Sequence, residues 1–170
     1  MSFEELLVNQ RRISELGRMM KLIRWDKTSC VSFSRSGYER GESPGIFHFL
    51  GFTFYWGHTR KGAASPKVKT HGKRIRSTLR NVNEWARQIR NKYKLTHIWK
   101  LFCSKLEGHV RYFGASFNLK RVGIFVHKAV KIMFKWLNRR RQRKSFEWVK
   151  FRFFIAANPL PIIKVHHSLF

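Results

Sequence analysis

A chain of 170 residues has room for one globular domain, or for one domain carrying part of another. Hydrophobic residues make up 43% and aromatic residues 15%, which excludes a disordered tail and requires a packed core. Thirty-six Lys and Arg against nine acids leave a formal charge of +27 that the chain cannot neutralise internally, so a polyanionic partner is expected: nucleic acid first, an anionic membrane surface second.

Between residues 2 and about 20, Phe3, Leu6, Leu7, Ile13, Leu16 and Met20 fall at helical spacing, with Arg11, Arg12 and Arg18 at polar positions. Residues 22–33 are β-branched and aromatic and predict one or two short strands, interrupted at Asp26-Lys27. The Gly, Ser and Pro of 34–45 mark a loop. IFHFLGFTFYW, residues 46–56, is the strongest strand signal, and Gly51 within it provides for a close backbone approach or a bulge. Residues 57–72 form a basic linker with room for one short strand.

After Gly72 the period becomes helical. Ile75, Leu79, Val82, Ala86 and Ile89 share one face, while Arg74, Arg76, Arg80, Arg87 and Arg90 take other positions on the wheel. A second helix follows on Leu95, Ile98, Phe102, Leu106, His109 and Phe113, ending near Gly114. A third is expected over about 119–143, on Val122, Phe125, Val126, Ala129, Met133, Trp136 and Leu137. Ser145 suits the cap of a fourth, shorter helix through Phe153, which Pro159 and Pro161 stop, leaving an extended tail. His167 and Phe170 are expected to pack that tail back onto the bundle. The layout is a strand-containing piece to about residue 60, then helices whose apolar faces bury one another.

Several functions are excluded. Asp26 is the only aspartate and the glutamates are scattered, whereas two-metal phosphoryl chemistry needs converging carboxylates as hard oxygen ligands. No His or Cys spacing makes a metal site, and Cys103 and His109 fall on different sides of one helix. Cys30 and Cys103 suggest buried reduced thiols and not a disulfide framework. No phosphate-binding glycine loop or nucleophile elbow is present, so no catalytic residue, metal or cofactor is expected. The acidic N-terminus resembles neither a signal nor a transit peptide. The longest uncharged stretch, 153–163, is too short to cross a bilayer. No membrane partner is therefore expected, and a soluble, reducing compartment is: the bacterial cytoplasm, with an organelle as the other setting.

Three basic stretches carry the positive signal. The first, 67–76, sets Lys69, Lys73, Arg74 and Arg76 at a helix start, with Arg80 a turn further, where free amides and the helix dipole also favour phosphate. The second, 135–144, holds Lys135, Arg139, Arg140, Arg141, Arg143 and Lys144, whose mutual repulsion calls for nearby phosphates. The third, GHVRYFG at 108–114, offers Arg111 and Tyr112 for RNA stacking, with Phe113 assigned to the core.

The same residues carry a family resemblance. FHFLGFT, within residues 47–62, resembles the F-x-F-L-G-F-T stretch that ends the palm of group II intron reverse transcriptases, where a primer-grip-like hairpin leads into the thumb. Upstream, Lys27-Thr28 ahead of an apolar strand looks like that family's G-L-x-L-x-x-x-K-T block. GHVRYFG resembles its G-H-Y-x-Y-Y-G, KWLNRRRQRKSFEW its K-W-L-N-R-R-S-Q-R-K-S-Y-x-W, and PLPIIKVHHSLF its P-L-P-x-P-x-I-x-H-S-L-Y end. Departures are Met20 for Gly, Lys21 for Leu and Arg141 for Ser. The family's Tyr-Ala-Asp-Asp catalytic turn is expected ahead of Ser2 and is absent, together with the fingers and most of the palm.

The resemblance implies a mainly α (α+β) fold: a palm remnant over 1–60 and a helical thumb and maturase domain over 61–170, its bundle about 67–158. Lys27 and Gly51 would lie near the polymerase site of an intact parent, and only that parent would use Mg²⁺. The implied function is binding of structured group II intron RNA to assist splicing and mobility, and of an RNA/DNA duplex in the parent. Two alternatives stay open: the C-terminal half of a split reverse transcriptase that works with a separate N-terminal chain, and a non-functional truncated remnant.

Overall fold

The computed structural model describes residues 31–42, 45–139 and 147–168. The chain divides into two compact units, 1–32 and 33–170, and every element below belongs to the second. The helix expected over 2–20 and most of the strand segment over 22–33 lie outside the described residues, and its described end, 31–33, is not in a strand. The expected division at residue 60 coincides with a turn inside a continuous sheet.

The segment read as a loop contains a short helix, α1 (Arg35–Glu39), capped by the Ser34 hydroxyl, which accepts from Gly37 N at 3.1 Å. The segment 46–56, read as a strand, folds as a hairpin, β1 (Phe47–Phe49) and β2 (Phe52–His58), with Phe49 opposite Phe52. A two-residue connection between antiparallel strands needs positive φ at both positions to match the strand twist. Leu50 and Gly51 supply it, at φ 49° and 81°. The glycine expected to provide for a close backbone approach or a bulge is half of a tight turn.

The basic linker carries a full third strand, β3 (Ala64–Thr70), antiparallel to β2 over its whole length. Its alternation is concealed by composition. Val68 and Thr70 point inward, 0% and 2% exposed, while the intervening Lys67 and Lys69 lie over the rings of Phe117 and Tyr55 at 5.5 and 4.5 Å. Lysine stems covering aromatic surface let a cationic segment behave as a half-buried strand. Pro66 is tolerated because β3 is an edge strand of the order β1-β2-β3.

Helices α2 (Gly72–Ile89), α3 (Leu95–Phe113) and α4 (Leu119–Leu137) follow the expected periodicity. Their apolar stripes meet in one core that includes Ile75, Ala86, Ile98, Phe102, Leu106, Val110, Phe113, Val122, Phe125, Met133 and Leu137. The third helix was expected to reach residue 143; α4 closes at Leu137 with a turn through Asn138 and Arg139. Helix α5 (Trp148–Ala157) has Glu147 at its cap position, the expected cap Ser145 being outside the described residues. It is anchored by Phe151, 0% exposed, whose ring meets Trp99 edge-on at 5.8 Å and Phe134 at 5.0 Å. Trp99 Nε1 donates to Asn158 O at 2.9 Å where the chain leaves the helix, and Pro159 ends it. Among the described residues the fold is α+β, with helices predominating.

A buried side chain ties the sheet to the bundle. Asn118, 0% exposed in the α3–α4 turn, accepts from Thr70 N at 2.7 Å and donates through Nδ2 to Thr70 Oγ1 at 2.8 Å and Phe113 O at 2.7 Å. The hairpin turn docks beside it: His71 N donates to Gly51 O at 2.8 Å, and Tyr112 OH to Leu50 O at 3.0 Å.

Candidate nucleic-acid interface

Three groups of cations emerge from this scaffold. The first is at the passage from β3 into α2. Lys69 sits on β3, and Lys73, Arg74 and Arg76 are exposed in the first turn of α2, with Arg80 exposed further along the same helix. His71 occupies the cap position without a side-chain cap hydrogen bond, and the first turn holds no acid. Cations at the positive end of a helix are the unfavourable arrangement, by about 0.3–1 kcal/mol each. The arrangement therefore favours an anion. Beside it the rings of His48 and His71 approach to 4.1 Å. Loss of solvent contact, then His48, Lys73 and Arg76, hold the His71 imidazole below its ordinary range, as expected where positive charge is already dense.

The second group surrounds Trp136. Its ring receives Arg90 at 4.9 Å, Lys135 at 5.3 Å and Arg139 at 5.4 Å, while its Nε1 donates to Asn83 Oδ1 at 2.8 Å. The indole binds α2 to α4 and gathers cations from both. Arg90 joins this cluster although nothing in its local sequence marks it out: it comes from the far end of α2 and meets the others only through packing. Arg140, Arg141, Arg143 and Lys144 lie outside the described residues, as does Lys27.

The third group combines α3 with the C-terminal tail. Arg111 is exposed and paired with Glu107 at 2.7 Å, one turn earlier. Tyr112 has one face against Phe52, with ring centroids 6.0 Å apart, and its hydroxyl engaged by Leu50 O, so this residue, expected to stack on RNA, also pins the hairpin turn. The tail is held at Gly114, whose carbonyl accepts from His166 N at 2.6 Å and His167 N at 3.1 Å. A Cβ at Gly114 would come within 2.8 Å of Lys164 O and closer still to Val110 O, so only glycine permits this contact. His167 approaches Arg111 O through Nε2 at 2.9 Å. The result is an open cleft of about 630 Å³ lined by Gly108, Arg111, Tyr112, Lys164, His166 and His167. Lys164 and His166 are additions that no local signal announces.

Gly51 belongs to this region too. Its turn packs against the Arg74 stem and the Phe113 ring, between the first and third groups. None of Lys69, Lys73, Arg74, Arg76 and Arg80 pairs with a carboxylate among the described residues, whose ion pairs join Arg35 to Glu39, Arg40 to Glu42 and Arg111 to Glu107. Cys103, expected to be buried, is only half-buried, with its thiol directed at Pro159 O at 3.9 Å and pushed above its usual range by burial. His109 faces the opposite side of α3, stacked on Phe125 at 3.6 Å, and burial followed by Arg74 lowers its pKa to about 4. Among the described residues no three His, Cys, Asp or Glu converge on a point, and no helix is long and apolar enough to cross a membrane. Comparison of the chain with protein-family models, curated proteins and solved structures finds no match.

Proposed function

We propose that this chain is the thumb and maturase end of a group II intron reverse transcriptase and that it binds structured intron RNA. The observation that carries the proposal is the exposed cationic surface running from β3 into α2, left without carboxylate partners among the described residues. Support also comes from five stretches resembling that family in chain order, and from the hairpin and helical bundle to which the described ones belong. Contacts are chiefly to phosphate and sugar, because the deep major groove of A-form RNA is closed to side chains. The chain is not an enzyme by itself: with Asp26 its one aspartate, it lacks the carboxylates that would hold a Mg²⁺ pair. Its place is wherever the intron is spliced, in a bacterial cytoplasm or an organelle.

The test is binding to structured intron RNA and to random duplex across a salt series. Six to ten phosphate contacts lose about 10³–10⁵ in affinity between about 50 and 200 mM salt, so both curves fall steeply. The intron curve lies at higher affinity throughout. Equal affinity for the two RNAs defeats the maturase reading, and a salt-insensitive curve defeats phosphate recognition.

A further inference from the structure

From Pro159 to His167 the tail lies along α3 as a strap held at its ends. At one end the Cys103 thiol approaches Pro159 O at 3.9 Å and Leu160 packs against the core. At the other, Gly114 O accepts from His166 N and His167 N, and Ser116 N donates to His167 O at 3.1 Å. Between the ends a space of about 470 Å³ lies between strap and helix, and Ile162 is 79% exposed. Residues 164–167 are thus held by a few hydrogen bonds at exposed positions, the kind of contact that opens locally at low cost.

The open cleft of about 630 Å³ is complete only while that hold is made. Gly108, Arg111 and Tyr112 come to it from α3, and Lys164, His166 and His167 from the strap. His167 Nε2 donates to Arg111 O, so the strap is tied to the residue that supplies the cation of α3. Among the described residues no carboxylate lines the cleft, although Glu107 stands beside it on Arg111. That pair is exposed on both sides and weak, and it leaves most of the five guanidinium donors for another acceptor. Gly108 is exposed inside a helix, with nothing within 4 Å of where a Cβ would stand. Glycine weakens a helix interior and the packing does not require it here; what it offers is close approach to the backbone. Cations from two segments around an open, carboxylate-free cleft suit a phosphate, which Arg111 can meet with paired donors.

We propose that a phosphodiester of bound RNA occupies this cleft and, by meeting Arg111 and Lys164 together, locks the C-terminal strap onto α3. The inference rests on the RNA-binding reading and adds a coupling to it. Because the cleft is whole only with the strap docked, RNA favours docking, and docking favours RNA by the same factor. Lys164 therefore counts as an RNA contact only in the docked state, which a lysine on a rigid helix would not do.

The experiment follows amide exchange at His166 and His167 in the full chain: alone, with a fully paired RNA duplex, and at matched ionic strength with inorganic phosphate or poly-glutamate. The duplex slows exchange at both amides by about tenfold, the scale of one charge-assisted hydrogen bond, and the other two anions change it little. Gly114→Ala frees the strap without altering any charge, yet it lowers the salt slope of duplex binding by about 0.7–0.9, because Lys164 no longer meets phosphate. Lys164→Gln lowers the slope equally, and adding it to Gly114→Ala changes nothing further, as coupled positions require. A wild-type slope in Gly114→Ala or in Lys164→Gln overturns the proposal. Duplex binding with unchanged exchange overturns it too, while RNA binding stands. Equal protection by inorganic phosphate makes the cleft a free-anion site, equal protection by poly-glutamate a peptide site, and either result overturns the lock. If the duplex does not bind at all, the RNA reading itself falls, and the lock with it. Wild-type exchange and Lys164→Gln decide the matter even if Gly114→Ala folds poorly.

Discussion

Replacing Asn118 with Ala removes the side chain that ties β3 to the end of α3. The perturbation leaves Thr70 N without that partner in a residue 2% exposed, and takes from Phe113 O one of two donors, Ala115 N remaining at 2.8 Å. An unsatisfied buried donor costs about 1–3 kcal/mol, a large part of the roughly 5–15 kcal/mol expected for a domain. Urea unfolding measures it: the midpoint falls with an unchanged slope, because the surface exposed on unfolding is the same. Asn118→Asp keeps an acceptor for Thr70 N but loses the donor to Phe113 O and buries a carboxyl, so it is destabilised as well. Asn91→Ala, on an exposed turn, serves as the control and stays within about 0.5 kcal/mol of wild type. RNA affinity falls under conditions where Asn118→Ala is still folded, because Lys69 and the first turn of α2 are no longer held together. A loss below about 0.5 kcal/mol would refute the reasoning, since buried groups of this kind cannot be orphaned so cheaply.

Acidification tests His109. Its folded pKa, about 4, lies below the ordinary 6.5, so the stability it contributes is complete above about pH 6.5 and is lost as pH falls towards 4. Wild type therefore loses about 1–2 kcal/mol more than His109→Phe between about pH 7.5 and pH 5, after discounting for the ring's residual solvent contact, as read by chemical denaturation at the two pH values. Leu50→Asn relieves a leucine held at positive φ and creates the Asn-Gly pair that such turns prefer; it raises the melting temperature, with a gain of about 0.5–1 kcal/mol. Arg90→Ala, which removes one cation from the Trp136 cluster, lowers the salt slope of duplex RNA binding by about 0.7–0.9 if that cluster meets phosphate, and an unchanged slope removes it from the interface. Gly114→Ala forces Val110 O or the tail carbonyl of Lys164 to move, and more rapid amide exchange at His166 and His167 reports the tail's release.

Helix positions and core faces were legible in the sequence because both follow from local periodicity: Ile98, Phe102, Leu106 and Phe113 are one stripe whatever surrounds them, and all four are buried. Net charge likewise needs no fold to be counted, and it alone pointed to a polyanion. Strands were less legible. Strand β3 alternates lysine with small or apolar residues, and its lysines became half-buried only when Tyr55 and Phe117 arrived beneath them. Leu50 carries no turn signal, and the turn is stabilised by Tyr112, 62 residues away. The candidate interface shows the same limit. Lys73, Arg74 and Arg76 are neighbours in the chain and were read together, whereas Arg90 with Arg139, and Arg111 with Lys164, meet only after packing. Asn118, 48 residues from Thr70, is the clearest case. An asparagine between two helices looks like an ordinary turn residue, and only burial, which strips away water as an alternative partner, turns its amide into the joint on which the basic surface depends.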